Sequence, residues 1–99
     1  MSNEKLFVIV RRDLSQEQQA VQAGHAVAEY LICHKNIEWN NGILVYLGVK
    51  NEIDLQKWMF RLILEEAPWI CFMEPDMDNE KTAIASVYDE SFFKNLQVL

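Results

Sequence analysis

The sequence predicts an α/β domain spanning residues 1–99, with three layers (α/β/α) around a four-stranded, mixed and mostly parallel sheet. Two observations support this prediction. Short runs rich in β-branched and aromatic residues alternate with longer segments of helical periodicity. The elements follow the order β-α-β-α-β-β, which favours helices covering a mostly parallel sheet. A hydrophobic fraction of 51% in 99 residues is enough to build one core.

The first half of the chain predicts a strand and a long helix. Residues 5–10 (KLFVIV) form a short apolar run typical of a buried strand. Ser15 and Gln18 are three positions apart and fit a capping box, so we expect a helix from there to Cys33 or His34. Small and apolar residues recur along this segment at helical spacing, and we expect them to face the sheet: Ala20, Gly24, Val27 and Leu31.

The second half predicts three strands and one helix. A turn at 36–42 precedes a strand at 43–49, a helix at 52–66 stopped by Pro68, a strand at 69–73, an acidic loop at 74–81 and a strand at 82–88. Asp89 or Ser91 can cap a short last helical turn, and residues 97–99 are predicted to be a tail.

Charge and composition limit the classes of function. The net charge is −6, with nine Lys and Arg against fifteen Asp and Glu, so tight sequence-independent binding of nucleic acid is not expected. Contact with RNA would need a local basic patch, for which Arg11, Arg12 and Lys81 are the candidates. Cys33 and Cys71 are predicted to be reduced, buried thiols. No leader and no membrane span are recognised, so we expect a cytoplasmic protein.

Two groups of polar residues are candidates for chemistry. Gln18, Gln22, His25 and Glu29 are spaced to share one helix face, and a histidine there can exchange a proton near neutral pH. Asp76, Asp78 and Glu80 alternate in the acidic loop and could in principle ligate a hard cation. The loop lacks the glycine and the distal glutamate of an EF-hand, so we predict no metal site, and nothing in the sequence indicates a cofactor.

Two stretches resemble the type II peptidyl-tRNA hydrolases. Residues 8–14 read VIVRRDL and residues 20–26 read AVQAGHA, where the family has a strand ending V-V-R-x-D-L and a helix with A-A-Q-x-x-H-A. The matching positions are Arg11, Asp13, Leu14, Gln22, His25 and Ala26. Farther on, the family carries D-A-G-x-T-x-I-A, and residues 78–85 read DNEKTAIA, with Asp78 and Thr82 at the family's separation.

The resemblance implies hydrolysis of the ester that joins a peptide to the terminal ribose of tRNA, with peptidyl-tRNA as the partner and a homodimer as a candidate assembly. It implies that His25 or Asp78 activates the water and that Thr82 and Gln22 donate hydrogen bonds. The substrate-binding residues implied in the same way are Arg11, Arg12, Asp13, Gln18 and Lys81.

The chain also departs from the family pattern. Gln18 stands where the family has a lysine implicated in catalysis, and Lys81 is a candidate substitute. Asp76 is an alternative to Asp78 as the site aspartate. These departures leave a second interpretation open, a catalytically silent homologue that acts as a protein- or RNA-binding module. In that case the three tryptophans are either interface anchors or core residues: Trp39, Trp58 and Trp69.

Overall fold

A computed structural model describes residues 5–35 and 39–99, so residues 36–38 of the predicted turn and residues 1–4 of the predicted domain lie outside the described part. The elements in chain order are β1 (Lys5–Arg11), α1 (Gln16–Cys33), β2 (Ile43–Val49), α2 (Glu52–Glu65), β3 (Ile70–Glu74), β4 (Glu80–Val87) and β5 (Gln97–Val98). Short 3₁₀ turns at Pro75–Met77 and Glu90–Phe93 precede β4 and β5. The predicted mixed α/β class and the order of the first six elements are confirmed.

The sheet corrects the predicted topology. In residues 5–35 and 39–99 it has five strands in the order β3-β4-β1-β2-β5, and among these β1 and β2 form the one parallel pair, while the other three pairs are antiparallel. The prediction of four mostly parallel strands was therefore wrong. A short turn joins β3 to β4, so β4 returns antiparallel and inserts between β3 and β1. The predicted tail contains β5, whose two residues pair with β2.

The helices lie on opposite faces of the sheet, which confirms the three layers. Leu6, Val8 and Val10 of β1 belong to one buried cluster with α1. Phe7 and Ile9 of the same strand belong to the other cluster with α2. Because successive strand residues point to opposite faces, β1 supplies side chains to both cores.

Helix α1 begins as predicted but packs through a different face. The Ser15 hydroxyl accepts a hydrogen bond from the Gln18 backbone N–H at 3.1 Å, as expected of an N-cap. The buried residues, however, are Gln22, Ala23, Ala26 and Tyr30, whereas Ala20, Gly24 and Leu31 are exposed and Val27 is half-buried. The Tyr30 hydroxyl accepts a hydrogen bond from the Val87 N–H at 3.2 Å, and this contact orients the helix. The predicted small-residue face therefore points outward.

A β-bulge interrupts β4 at Thr82. Phe72 pairs with Ala83 and Met73 with Lys81, so Thr82 is the extra residue on its strand. A bulge redirects the side chains beside it. The Thr82 side chain turns towards α1, where it meets Gln22.

The cysteines and tryptophans have mixed environments. Both cysteines are free, as expected, but Cys33 is exposed rather than buried and Cys71 is half-buried. Trp58 is buried and Trp69 packs against the α2-side core, so both serve packing. Trp39 packs against the other core, and its indole N–H donates to the Ile43 carbonyl at 2.8 Å.

Neither helix in the described ranges combines the length and the apolar character that crossing a membrane requires.

Candidate functional site

Gln22 is the centre of a polar cluster between α1 and the β3–β4 pair. Its amide nitrogen donates to Gln18 Oε1 at 3.0 Å and to Glu74 Oε1 at 2.7 Å, and its amide oxygen accepts from the Thr82 hydroxyl at 2.8 Å. Gln22 is fully buried. It therefore orients the groups around it instead of presenting its own amide to solvent. We call Gln18, Gln22, His25, Glu74 and Thr82 the Gln22 cluster.

Glu74 is the member that sequence reasoning missed. Besides the bond from Gln22, its second carboxylate oxygen accepts the backbone N–H of Asp76 at 3.1 Å. The hydrogen bond from Gln22, the bond from Asp76 and the nearby His25 together hold the pKa of Glu74 below its usual range. The sequence offered one signal for this residue: Glu74 directly follows a predicted strand and directly precedes Pro75.

His25 lies beside this carboxylate on the exposed rim of the cluster. Its ring stacks on Phe72, with the ring centroids 4.5 Å apart and the planes 5° from parallel. Phe72 and Glu74 are two positions apart on β3, which places His25 close to the Glu74 carboxylate. The imidazole nitrogens make no hydrogen bond within the described part of the chain, so they are open to water or a ligand.

Thr82 and Gln18 complete the cluster. The Thr82 hydroxyl is buried and also lies 3.3 Å from the Phe72 carbonyl, a longer contact than the one to Gln22. Gln18 is exposed in the first turn of α1. Its amide oxygen is used by Gln22, which leaves the amide N–H groups facing solvent.

The two candidate aspartates lie outside the cluster. Asp78 is exposed, has a left-handed backbone with φ of 55°, and its carboxylate makes no hydrogen bond or ion pair with residues 5–35 or 39–99. Asp76 contributes only its backbone N–H, which bonds to Glu74. Glu74 therefore holds the position next to Gln22 and Thr82 that the sequence had suggested for an aspartate.

Arg11 is buried and already paired. Its guanidinium makes two hydrogen bonds of 2.9 Å to Asp13 and one of 2.8 Å to Glu80, and it also donates to the Lys81 carbonyl at 3.1 Å. The guanidinium lowers the pKa of Asp13 and its own pKa is raised, chiefly through the bond to Asp13. This ion-pair group holds the end of β1 to the start of β4.

Arg12 and Lys81 have separate surroundings. The Arg12 guanidinium crosses over Gly48 and donates to the Val98 carbonyl at 3.0 Å, which ties β5 to the sheet. The Lys81 backbone N–H donates to a Glu52 carboxylate oxygen at 2.9 Å. Arg11 and Lys81 are neighbours, whereas Arg12 reaches towards the opposite edge strand. The structure therefore does not bring the three predicted cations into one patch.

The acidic loop has no cation-binding arrangement in the described ranges. No three His, Cys, Asp or Glu side chains of those ranges converge as a metal site requires. Of the three acidic residues considered for such a site, Glu80 is already paired with Arg11 at 2.8 Å.

Comparison with known proteins shows the fold alone. The chain is similar to the solved structure of Atu0240, a protein of unknown function from Agrobacterium tumefaciens strain C58, at a TM-score of 0.74 and 14% sequence identity. The match covers 100% of this chain and 99% of that one. No family model matches the sequence, and a search of the curated proteins found no match.

Proposed function

We propose that the Gln22 cluster hydrolyses an ester of the peptidyl-tRNA type. The observation that carries the proposal is the placement of His25 beside Glu74, a carboxylate anchored by Gln22, which in turn is bonded to Thr82. Gln22, His25 and Thr82 are also three of the residues that carry the resemblance to type II peptidyl-tRNA hydrolases. The two free cysteines fit a reducing compartment such as the cytoplasm, the location we propose for this reaction.

In the proposed ester hydrolysis, each of three side chains has one task. His25 takes a proton from a water molecule, whose oxygen attacks the ester carbonyl. The ionised Glu74 stabilises the imidazolium that forms, as the third member of a nucleophile–base–carboxylate arrangement does. The Gln18 amide N–H donates to the tetrahedral oxyanion. When the acyl–oxygen bond breaks, His25 returns the proton to the departing ribose oxygen.

We expect a slow enzyme with weak affinity for tRNA, because Gln18 is a neutral donor and the arginines have internal partners. A neutral amide stabilises an oxyanion less than the lysine of the family would, because a charged donor makes a hydrogen bond roughly twice as strong. Arg11 is neutralised by Asp13 and Glu80 and is not free to bind phosphate. Lys81 and the exposed Arg12 remain as candidates for phosphate contacts, and because they lie apart we expect a shallow dependence of binding on salt.

The alternative function is a non-catalytic binding module with the same fold. One observation favours it: Arg11 is neutralised by Asp13 and Glu80, and Arg12 bonds to the Val98 carbonyl towards the opposite edge strand, so the two arginines do not form one cationic surface. This alternative predicts a folded protein that releases no product from any aminoacyl or peptidyl ester.

Release of N-acetyl-amino acid from N-acetyl-aminoacyl-tRNA tests the proposal. His25→Ala should reduce the rate about 100-fold or more if His25 is the base. His34→Ala is the matched control, since His34 also stacks on an aromatic ring, Tyr30, but lies at the other end of α1. Equal rates for the wild type and His25→Ala would remove His25 from the mechanism. No release by folded wild-type protein would favour the binding module.

A further inference from the structure

A cavity of about 640 Å³ opens on the α2 side of the sheet, beside β2 and β5. Its floor is apolar and contains Phe7, Val45 and Leu47, which belong to the α2-side core or pack against it. Helix α2 packs mainly on β4 and β1, so the 3₁₀ turn Glu90–Phe93 and the residues after it form the other wall. The volume lies within the range of about 300–1,000 Å³ that is typical of small-molecule sites. We call it the β2–β5 cavity.

The β2–β5 cavity is separate from the Gln22 cluster. That cluster lies between α1 and the β3–β4 pair, on the other face of the sheet, and none of its members lines the cavity. A molecule bound in the cavity would therefore not touch the groups proposed to hydrolyse an ester.

Two charged groups on the rim of the cavity have no ion-pair partner in the described part of the chain. Glu90 is already paired with Lys5 at 2.5 Å. The Asp89 carboxylate accepts a hydrogen bond from the Ser91 hydroxyl, a neutral group that leaves the negative charge uncompensated. Lys94 is exposed, and its ammonium makes no hydrogen bond or ion pair within the described ranges. The rim thus offers one carboxylate and one ammonium beside an apolar floor.

We propose that the β2–β5 cavity binds a free α-amino acid with a large apolar side chain. The ammonium of the ligand pairs with Asp89, and its carboxylate pairs with Lys94. Its side chain covers Val45 and the neighbouring Val98, which is 72% exposed. A purely anionic amphiphile would meet Asp89 without compensation, and a purely cationic one would meet Lys94 in the same way. A zwitterion satisfies both charges at once.

Titration of the methyl-labelled wild type with phenylalanine, followed by NMR, tests the proposal. We expect saturable shifts of the Val45 and Val98 methyl groups, which line the cavity. Phenylpropionate lacks the ammonium and phenethylamine lacks the carboxylate, so each should bind at least about tenfold more weakly than phenylalanine. Free glycine keeps both charges but lacks the apolar side chain, so it should also bind at least about tenfold more weakly.

Two variants separate the contributions of the rim charges. Lys94→Gln should weaken the binding of phenylalanine at least about tenfold and should not weaken that of phenethylamine. Asp89→Asn should weaken the binding of phenylalanine by a similar factor and should not weaken that of phenylpropionate. Lys57→Gln is the matched control, because it removes an ammonium on α2, 71% exposed, that does not line the cavity. Thermal unfolding of each variant confirms that it is folded before its binding is compared.

Three results would overturn the proposal. The first is the absence of saturable shifts at Val45 and Val98 up to the solubility limit of phenylalanine. The second is equal affinity for phenylalanine and phenylpropionate, which would show that the ligand ammonium is not recognised. The third is an affinity for phenylalanine that Lys94→Gln leaves unchanged. None of these measurements uses ester hydrolysis, so they hold whether or not the Gln22 cluster is catalytic.

Discussion

The Thr82 hydroxyl donates a hydrogen bond of 2.8 Å to the amide oxygen of Gln22, although the two residues are 60 positions apart in the chain. The bulge in β4 directs Thr82 to this contact, and burial on α1 keeps Gln22 there. Through Gln22 the bond extends to Glu74, beside the exposed His25. One buried hydrogen bond thus connects the packing of α1 with the geometry of the candidate site.

Loss of either partner of this bond should destabilise the protein. Thr82→Val keeps the shape of the side chain but leaves the Gln22 oxygen buried without a donor, which costs about 1–3 kcal/mol of unfolding free energy. Gln22→Leu should cost a similar amount. Because the two changes remove the same bond, the double variant should be less destabilised than the sum of the single variants. Urea unfolding measures all three, and strict additivity would show that the bond contributes nothing to stability.

The Arg11–Asp13 pair should make stability depend on pH in the acidic range. Arg11 lowers the pKa of Asp13 in the folded state. The pair therefore contributes fully above the unfolded-state pKa of about 3.9, and its contribution is lost as the pH falls through the lower folded-state value. The Asp13 side chain is 41% exposed, so the contribution should not exceed about 1 kcal/mol.

Unfolding free energies at neutral pH and at about pH 3 measure this dependence. Asp13→Asn should flatten it. Asp78→Asn is the control, since the Asp78 carboxylate has no partner in the described ranges and asparagine tolerates its left-handed backbone. Equal slopes for Asp13→Asn and the wild type would mean that the pair does not link protonation to folding.

Gly48→Ala should loosen β5 without unfolding the protein. A Cβ at Gly48 would overlap with the Arg12 guanidinium, which must then leave its place and its bond to the Val98 carbonyl. Since the guanidinium is the end of a flexible side chain, we expect a loss of only about 0.5–1.5 kcal/mol.

Hydrogen exchange provides the sensitive measurement of this effect. The Leu99 N–H bonds to the Tyr46 carbonyl at 2.9 Å, and it should exchange faster in Gly48→Ala. Gly42→Ala should leave the exchange unchanged, because a Cβ at Gly42 meets open space. Unaltered Leu99 exchange in Gly48→Ala would show that Arg12 does not hold β5 in place.

Local signals predicted the elements but not their arrangement. The Ser15 cap, the strand at Ile43–Val49 and the end of α2 before Pro68 follow from nearby residues, and the structure agrees with them. The direction of β4 depends on which strand it joins, and no local pattern carries that information. The two-residue β5 is too short to show a strand pattern in its own sequence. It is held by Arg12, which lies near the other end of the chain.

The candidate site, like the fold, could be predicted only where nearby residues in the sequence determine it. Helical spacing placed Gln18, Gln22 and His25 on one side of α1, and the structure has them there, with His25 exposed and Gln22 buried. Glu74 was missed because the bulge and the 3₁₀ turn after β3 determine which acidic residue meets Gln22. Arg11 was expected to bind substrate, but its partner Glu80 could be identified only once β1 and β4 were known to be adjacent.

The most direct test of the central claim compares Glu74→Gln with Asp78→Asn in hydrolysis of N-acetyl-aminoacyl-tRNA. Both variants replace one carboxylate with an amide of nearly the same shape, but only Glu74 is bonded to Gln22 beside His25. The account predicts a rate reduced about 100-fold in Glu74→Gln and unchanged in Asp78→Asn. A full rate in Glu74→Gln, or a loss confined to Asp78→Asn, would contradict it.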